Sequence, residues 1–247
     1  MSQANSAAVA LVTGAARRIG AAIARRLHAD GYDLALHYRD SADAMRALAA
    51  ELEAARAGSV LVLQADLAEF DRLPELVANT IGRYGRLDAL VNNASTFFPT
   101  PVGAATPTQW DTLFAVNARA PFFLAQAAAP HLAASGGAIV NLADLYALKP
   151  RADLAVYVAS KAALLGATRA LAVALAPRVR VNAIAPGAIL WPDAGVDENL
   201  QQALLAKTPL GRTGTPEEIA GVVAWLLRDA GYVTGQVLRV DGGRHLA

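Results

Sequence analysis

The residues best suited to chemistry are Tyr157 and Lys161, with Asp144 thirteen positions before the tyrosine. A spacing of four residues places the phenol and the ammonium on one face of a helix, where a cation favours the phenolate. An unperturbed tyrosine has a pKa of about 10, so proton transfer near neutral pH requires such a charge beside it. The same spacing also occurs on solvated surface helices, and the pair predicts a site only if other segments agree.

Strand-like apolar runs alternate with alanine-rich amphipathic runs along the chain of 247 residues. The predicted strands are residues 8–13, 33–38, 60–65, 89–92, 138–142, 179–184 and 237–240. The predicted helices are residues 18–29, 42–57, 73–84, 108–129, 156–175 and 217–228. Near-continuous apolar strands are typical of a parallel sheet covered by helices on both faces. We therefore predict one α/β domain, a Rossmann-like doubly wound sheet of about seven strands that binds ligands at the carboxyl ends of its strands.

The composition argues against several classes of function. Lys and Arg number 22 against 21 acidic residues, so no basic field predicts a nucleic-acid or membrane partner. Cysteine is absent, which excludes disulfides and thiolate metal sites and fits a reducing cytoplasm. The four histidines have no ligand-like spacing, so no metal is expected. The N-terminus does not resemble a signal peptide, and prolines and glycines interrupt the uncharged segment 120–143, so no transmembrane span is expected.

The first strand runs through Gly14 to a helix that begins near Gly20. Glycine permits a tight turn, the small residues Ala15 and Ala16 let a ligand approach the backbone, and free N–H groups at the helix start can hold a pyrophosphate. The spacing of the two glycines departs from G-x-G-x-x-G. An ordinary strand-to-helix turn is therefore an equal alternative.

The second strand ends in His37-Tyr38-Arg39-Asp40-Ser41. A carboxylate at this place would hold the ribose hydroxyl of NAD, whereas an arginine suits the 2′-phosphate of NADP. Arg39 therefore predicts NADPH. Asp40 and Ser41 are equally compatible with the cap of the next helix.

The third and fourth strands also end in polar residues. Asp66 can accept a hydrogen bond from an adenine amino group or cap a helix. Asn93, Ser95 and Phe97 predict a polar floor with an aromatic wall for stacking. The alternative for this segment is a polar turn with a phenylalanine in the core.

Together these motifs resemble the short-chain dehydrogenase/reductases. The matching segments, in family order and at about the family spacing, are TGAARRIG, ADL, NNAS, Asn117 within FAVNA, Tyr157-x-x-x-Lys161, Pro186-Gly187 and Asp241-Gly242-Gly243. Most members have glycine in place of Arg18 and serine in place of Asp144. These two departures, with LHYRDS, NNASTFFPTPV, APGAILWPD and DGGRHL, resemble the pteridine reductase branch of the family.

The resemblance implies hydride transfer from NADPH to a pterin such as dihydrobiopterin or dihydromonapterin, giving a tetrahydropterin. Tyr157 would donate a proton, and Lys161 would bind the nicotinamide ribose and lower the pKa of the tyrosine. Asn117 would hold a water and Lys161 in a proton relay, while Asp144 would orient Tyr157 and help protonate a ring nitrogen. Reduction of a C=N bond does require a proton on nitrogen, which a carboxyl beside a phenol supplies more readily than a serine.

The resemblance also implies two sets of binding residues. The cofactor set is Gly14, Arg17, Arg18, Ile19, His37, Tyr38, Arg39, Ser41, Asp66, Leu67, Asn93, Ala94, Ser95, Tyr157, Lys161, Pro186, Gly187 and Ile189. The pterin set is Arg18, Ser95, Phe97, Asp144, Tyr157, Gly187, Leu190 and Trp191. Trp191 replaces the usual threonine and is interpreted as a pocket wall, with core or lid packing as the alternative.

Residues 191–208 are interpreted as a substrate lid, although their acidic residues also fit a solvated surface. The resemblance implies a homotetramer assembled through alanine-rich helices, which can equally pack within one subunit. Two other functions are compatible with the sequence. One is reduction of a ketone or 3-oxoacyl thioester, and the other is a catalytically silent NADPH-binding protein.

Overall fold

The computed structural model describes residues 7–190 and 198–247. The described chain forms one parallel seven-stranded sheet in the order β3-β2-β1-β4-β5-β6-β7. The strands are β1 (Val9–Val12), β2 (Asp33–Tyr38), β3 (Val60–Gln64), β4 (Ala89–Asn92), β5 (Ala138–Leu142), β6 (Arg180–Pro186) and β7 (Val237–Val240). The helices are α1 (Arg18–Ala29), α2 (Ala42–Ala55), α3 (Arg72–Tyr84), α4 (Pro107–Phe114), α5 (Ala120–Ser135), α6 (Ala155–Leu175), α7 (Glu198–Ala206) and α8 (Pro216–Arg228). The predicted doubly wound α/β sheet is confirmed.

Successive side chains of each strand point to opposite faces of the sheet, and a buried core lies on each face. In β1, Ala10 and Val12 pack in a buried cluster with residues of α1, α2 and α8. Val9 and Leu11 pack on the opposite face in a cluster with residues of α3, α5 and α6. Strand β1 pairs with β2 on one side and β4 on the other, so the chain order reverses there. This reversal opens a crevice at the carboxyl ends of the strands, where doubly wound sheets bind their ligands.

The prediction of one helix over 108–129 is wrong. Helix α4 ends at Phe114, a π-helical turn spans Ala115–Arg119, and α5 continues to Ser135. The helix also passes through Pro130, which removes one backbone donor and leaves the carbonyl four residues earlier without its partner. Both Pro130 and Gln126 are exposed, so water can bind that carbonyl.

Helix α6 is the one described helix that is long and apolar enough to cross a membrane. Its buried side chains pack beside the sheet, Leu171 in the cluster with α3 and α5 and Leu164 and Leu165 with Ala143 and Ala183. These contacts are those of a helix packed in the protein core. Of the predicted lid, residues 191–197, including Trp191, lie outside the described residues, and α7 covers most of the rest.

Candidate active site

Tyr157 and Asp144 are held together at the carboxyl end of β5. The phenol of Tyr157 donates a hydrogen bond of 2.7 Å to Oδ2 of Asp144. Oδ1 of Asp144 accepts a 2.7 Å hydrogen bond from the backbone N–H of Tyr146, in a 3-10 turn, Leu145–Ala147, that Asp144 caps. The carboxyl is therefore fixed by its own turn and directed at the phenol.

Lys161 lies one helical turn after Tyr157 and is only 2% exposed. Its ammonium donates a 2.9 Å hydrogen bond to the carbonyl of Leu142, at the end of β5. Tyr157 is also buried, at 3% exposure. The pair is therefore not part of a solvated helix face.

Burial dominates the protonation of the three ionisable groups. It raises the pKa of Tyr157 well above 10, and the negative charge of Asp144 adds to this shift. It also raises the pKa of Asp144 and lowers that of Lys161 to about 8. The predicted lowering of the tyrosine pKa is therefore wrong for this state, because burial and the adjacent carboxylate disfavour the phenolate. Tyr157 remains a phenol, the form that can donate a proton.

Asn117 lies in the π-helical turn and is fully buried. Its Oδ1 accepts from Ser95 Oγ (3.1 Å) and from the N–H of Thr96 (2.9 Å). Its Nδ2 donates to the carbonyl of Thr96 (2.9 Å) and to Ser160 Oγ (3.1 Å). Ser160 in turn donates to the carbonyl of Tyr157. All four hydrogen-bonding positions of the amide thus tie the loop after β4 to the start of α6.

Phe97 lies against Tyr157. The two rings meet edge to face, with centroids 4.8 Å apart at 82°. Phe97 is 53% exposed and also borders a cleft of about 600 Å³. The ring is therefore not in the core, and its exposed face is available for stacking.

That cleft lies at the switch point between β1 and β4. Most of the predicted cofactor residues line it, namely Gly14, Arg17, Arg18, Ile19, His37, Tyr38, Arg39, Ser41, Asp66, Leu67, Asn93, Ala94 and Ser95. The lining also includes Thr96 and Val116, which the sequence interpretation missed. Both residues lay inside recognised motifs, Thr96 in NNASTFFPTPV and Val116 in FAVNA.

The glycines of the first loop are required by close packing. Gly14 has φ of +62°, and a Cβ there would lie 2.9 Å from the Cα of Ala94. A Cβ on Gly20 would lie 2.2 Å from the carbonyl oxygen of Gly14. Asn93 Nδ2 secures the loop through 2.9 Å hydrogen bonds to the carbonyls of Thr13 and Gly14. These contacts shape a cradle in which a pyrophosphate fits close to the backbone.

His37 holds this loop in place through its imidazole ring. Its Nδ1 accepts from the N–H of Gly14 at 3.2 Å, and its Nε2 lies 3.1 Å from the carbonyl of Ala65. The imidazole is therefore neutral, with its proton on Nε2, and burial lowers its pKa. His37 therefore lines the cleft and holds the backbone of its first loop in place.

The end of the cleft predicted to hold the ribose contains both signs of charge. Arg39 Nε donates to Asp40 Oδ2 at 2.5 Å, and both side chains are exposed. Asp66 Oδ1 accepts from the N–H of Ala68 at 2.8 Å. Asp66 thus caps a turn and lines the cleft. The alternative of a helix cap is wrong, because the residue at the N-cap of α3 is Asp71.

The predicted residues after β6 have different surroundings. A Cβ on Gly187 would lie 2.7 Å from the Cα of Asp241, so glycine is required there for packing against the C-terminal segment. Ile189 is buried in the core cluster beside α8. The carbonyl of Leu190 accepts a hydrogen bond of 3.3 Å from Arg18, whose φ of +56° is the one positive value for a non-glycine residue in the described chain.

The described residues contain no group of three or more His, Asp or Glu side chains arranged to hold a metal ion. The site brings together the half-buried carboxyl of Asp144 and the buried phenol and ammonium of Tyr157 and Lys161.

Comparison with known proteins identifies the family. A family model described as enoyl-(acyl carrier protein) reductase matches residues 14–245. Pteridine reductase 1 of Leishmania tarentolae is 37% identical over 100% of this chain and 99% of its own length. A putative ketoacyl reductase of the granaticin polyketide synthase of Streptomyces violaceoruber is 40% identical, over 97% of each chain. The 3-oxoacyl-[acyl-carrier-protein] reductase FabG of Staphylococcus aureus is 37% identical over 96% of this chain and 98% of its own length.

The chain belongs to the short-chain dehydrogenase/reductase family. It is an oxidoreductase of the kind that uses a nicotinamide cofactor and a small-molecule substrate. The relatives are named for different substrates, and their identities to this chain are similar. Their similarity therefore establishes the family but not the substrate.

Proposed function

We propose that this protein is an NADPH-dependent pteridine reductase that converts a dihydropterin, such as dihydrobiopterin or dihydromonapterin, to the tetrahydropterin. The observation that carries the proposal is the 2.7 Å hydrogen bond between the Tyr157 phenol and the Asp144 carboxyl. A carbonyl substrate needs one proton donor at its oxygen. A ring C=N bond needs a proton on nitrogen as hydride reaches the adjacent carbon, and a paired carboxyl and phenol suit that demand.

Burial prepares both groups for this proton transfer. The raised pKa of Asp144 brings protonation of its carboxyl closer to neutral pH, and the raised pKa of Tyr157 keeps its phenol protonated. The bound nicotinamide would supply the hydride. Lys161 lies one turn further along α6 and provides a buried positive charge. This charge would stabilise the negative charge that develops on the phenol oxygen as the proton leaves.

The cleft fits the two planar groups that the proposal requires. The Gly14 and Gly20 cradle would hold the cofactor pyrophosphate together with Arg17, and Arg39 would pair with the 2′-phosphate. The exposed face of Phe97 would stack on the pterin. Ser95 and Arg18 would contact both cofactor and pterin, while Gly187, Leu190 and Trp191 would border the substrate.

Three further features belong to the same proposal. Residues 191–208 would form the substrate lid, the alanine-rich helices would assemble a homotetramer, and the enzyme would act in the cytoplasm. The absence of cysteine fits the last of these.

A second candidate function is reduction of a 3-oxoacyl thioester, which the ketoacyl reductase relatives favour. Two features oppose it. A flexible oxoacyl chain needs neither an exposed stacking ring at Phe97 nor a carboxyl bonded to the tyrosine.

The test compares both substrates in the wild type and in Asp144→Ser, which restores the residue usual in the family. NADPH absorbance is followed with dihydrobiopterin and with an acetoacetyl thioester, from acid to neutral pH. We expect the wild type to reduce the pterin, and the variant to lose roughly a hundredfold or more in kcat while its dissociation constant for NADPH stays within about twofold. Wild-type activity on the thioester alone would establish the second candidate. Equal losses of turnover and of NADPH affinity would show that Asp144 has no specific role in proton transfer.

A further inference from the structure

A cluster of positive charge lies beside the catalytic pair, outside the residues so far given a function. It consists of Tyr146, Lys149 and Arg244. The Arg244 guanidinium is centred 5.4 Å above the ring of Tyr146 and donates a 3.3 Å hydrogen bond to its hydroxyl. Lys149 donates a 3.1 Å hydrogen bond to the carbonyl of Arg244. All three residues are partly exposed, so a ligand can reach them.

The cluster is connected directly to the reacting groups. The N–H of Tyr146 is the donor that fixes Asp144 Oδ1, and the ring of Tyr146 packs against the buried cluster that contains Tyr157. Arg244 is also close enough to lower the pKa of Asp144 by its charge. The cluster therefore adjoins the turn that holds Asp144 against Tyr157.

The C-terminal turn, residues 241–246, holds Arg244 in place. The Asp241 carboxylate accepts from the backbone N–H groups of Gly243 (3.0 Å) and His245 (2.9 Å). Gly242 and Gly243 have φ of +62° and +84°, and added Cβ atoms would lie within 3 Å of Thr208 and Pro209. The turn is thus closely packed on the chain that follows α7, and its arginine is presented from a fixed backbone.

The cluster carries more positive charge than its neighbours compensate. The guanidinium carbon of Arg151 lies 5.7 Å from the centroid of the Tyr146 ring, but Arg151 already forms an ion pair with Asp153. Within residues 7–190 and 198–247, no carboxylate forms an ion pair with Arg244 or with Lys149. The hydroxyl of Tyr146 accepts from Arg244, so its own proton remains available to donate. Two cations and one O–H group therefore lie together beside the turn that fixes Asp144.

We propose that Arg244, with Tyr146 and Lys149, binds an anionic group, a carboxylate or a phosphate, on the side chain of the substrate. This inference rests on the proposed function, because it assigns the side-chain subsite of the same pocket. A guanidinium binds both kinds of anion through directed hydrogen bonds. The test must therefore separate the two sources.

The kinetic test uses three dihydropterins with the same ring. Dihydrobiopterin has a neutral side chain, dihydrofolate carries carboxylates, and dihydroneopterin monophosphate carries a phosphate. Arg244→Gln removes the charge. Arg178→Gln is the matched control, because Arg178 is an exposed arginine just before β6, at the amino ends of the strands. We expect Arg244→Gln to raise KM for one or both anionic substrates about tenfold to a hundredfold. Its KM for dihydrobiopterin should stay within about twofold. Any change in kcat that follows from the loss of positive charge near Asp144 should be the same for all three substrates.

Three results complete the kinetic test. Arg244→Lys should recover part of the lost affinity, since it restores the charge but not the planar donor geometry. The larger KM effect identifies whether carboxylate or phosphate is the preferred group. Equal KM changes for the neutral and anionic substrates, or changes matched by Arg178→Gln, would overturn the subsite.

Thermal unfolding with inorganic phosphate decides the matter if the wild type reduces no pterin. In NADP⁺-saturated protein, phosphate should raise the unfolding midpoint of the wild type and Arg178→Gln more than that of Arg244→Gln. Such a result without pterin turnover would retain the anion site and reject the proposed function. Identical phosphate shifts in all three proteins would reject the site.

Discussion

The cofactor cleft and the catalytic end of the sheet are built by different physical means. Around the cleft, Gly14 and Gly20 create shape, while Asn93 and the neutral His37 hold the loop through uncharged hydrogen bonds. At the end of β5, Asp144 and Lys161 are ionisable groups placed in buried positions. Hydrogen-bond donors that bind a phosphate need only stay in position, because the charge of the phosphate does not change during the reaction. Groups that transfer a proton must change their own charge. The first region therefore depends on packing and the second on desolvation.

The largest effect should come from Tyr157→Phe, which tests the catalytic side of this comparison. Only the hydroxyl is lost, so the ring contact with Phe97 can remain. We expect kcat to fall about 10²- to 10⁴-fold, with NADPH affinity nearly unchanged in a fluorescence titration. Tyr84→Phe, which removes the hydroxyl that bonds to the carbonyl of Leu34, is the control. Substantial remaining turnover in Tyr157→Phe would show that another group supplies the proton.

Gly20→Ala tests whether the cleft depends on packing. The new methyl would lie 2.2 Å from a backbone oxygen, so the loop must shift, at a cost of about 1–3 kcal/mol and with weaker cofactor binding. Calorimetry with NADPH and thermal unfolding measure the two effects. Gly166→Ala in α6 meets no atom within 4 Å and should stabilise its helix by about 0.5–1 kcal/mol. Equal stability of the two variants would contradict the steric account.

The pH dependence of kcat tests the role of desolvation. The pKa of Lys161 is about 8, so the ammonium loses its charge as pH rises through that value. Activity should then fall about tenfold per pH unit on the alkaline side. Asp144 raises the lysine pKa, and Asp144→Asn should therefore move this limb to lower pH. A limb that does not move would show that Lys161 is not the group that titrates.

Arg39→Asp gives the smallest expected change and concerns only the rim of the cleft. It replaces the proposed partner of a phosphate with a carboxylate that favours a ribose hydroxyl. The preference for NADPH over NADH, as a ratio of kcat/KM values, should fall about tenfold or more. Arg46→Asp, on the exposed side of α2, is the charge-matched control. An unchanged ratio would mean that Arg39 does not select the cofactor.

The sequence predicted the features that depend on backbone geometry and packing better than those that depend on desolvation. The strands were predictable because near-continuous apolar runs are typical of buried parallel strands, and the first loop because a glycine and small residues follow the first of these runs. The upward pKa shift of Tyr157 was not, because it depends on how deeply the ring is buried beside Asp144. The pairing of Tyr146 with Arg244 joins residues 98 positions apart, and no local pattern in the sequence marks it. The family resemblance identified Asn117, but only the coordinates show that its amide is fully occupied.

The π-helical turn at Ala115–Arg119 has a consequence for insertions and deletions in this chain. Each residue advances an α-helix by about 100°, so one additional residue rotates everything beyond it by about a quarter turn. Removing a single residue from this turn would regularise the helix and swing the face of α5 away from the sheet. A deletion that improves local hydrogen bonding would thereby misalign a whole layer of the core, which makes this stretch intolerant of length changes that an exposed loop would accept.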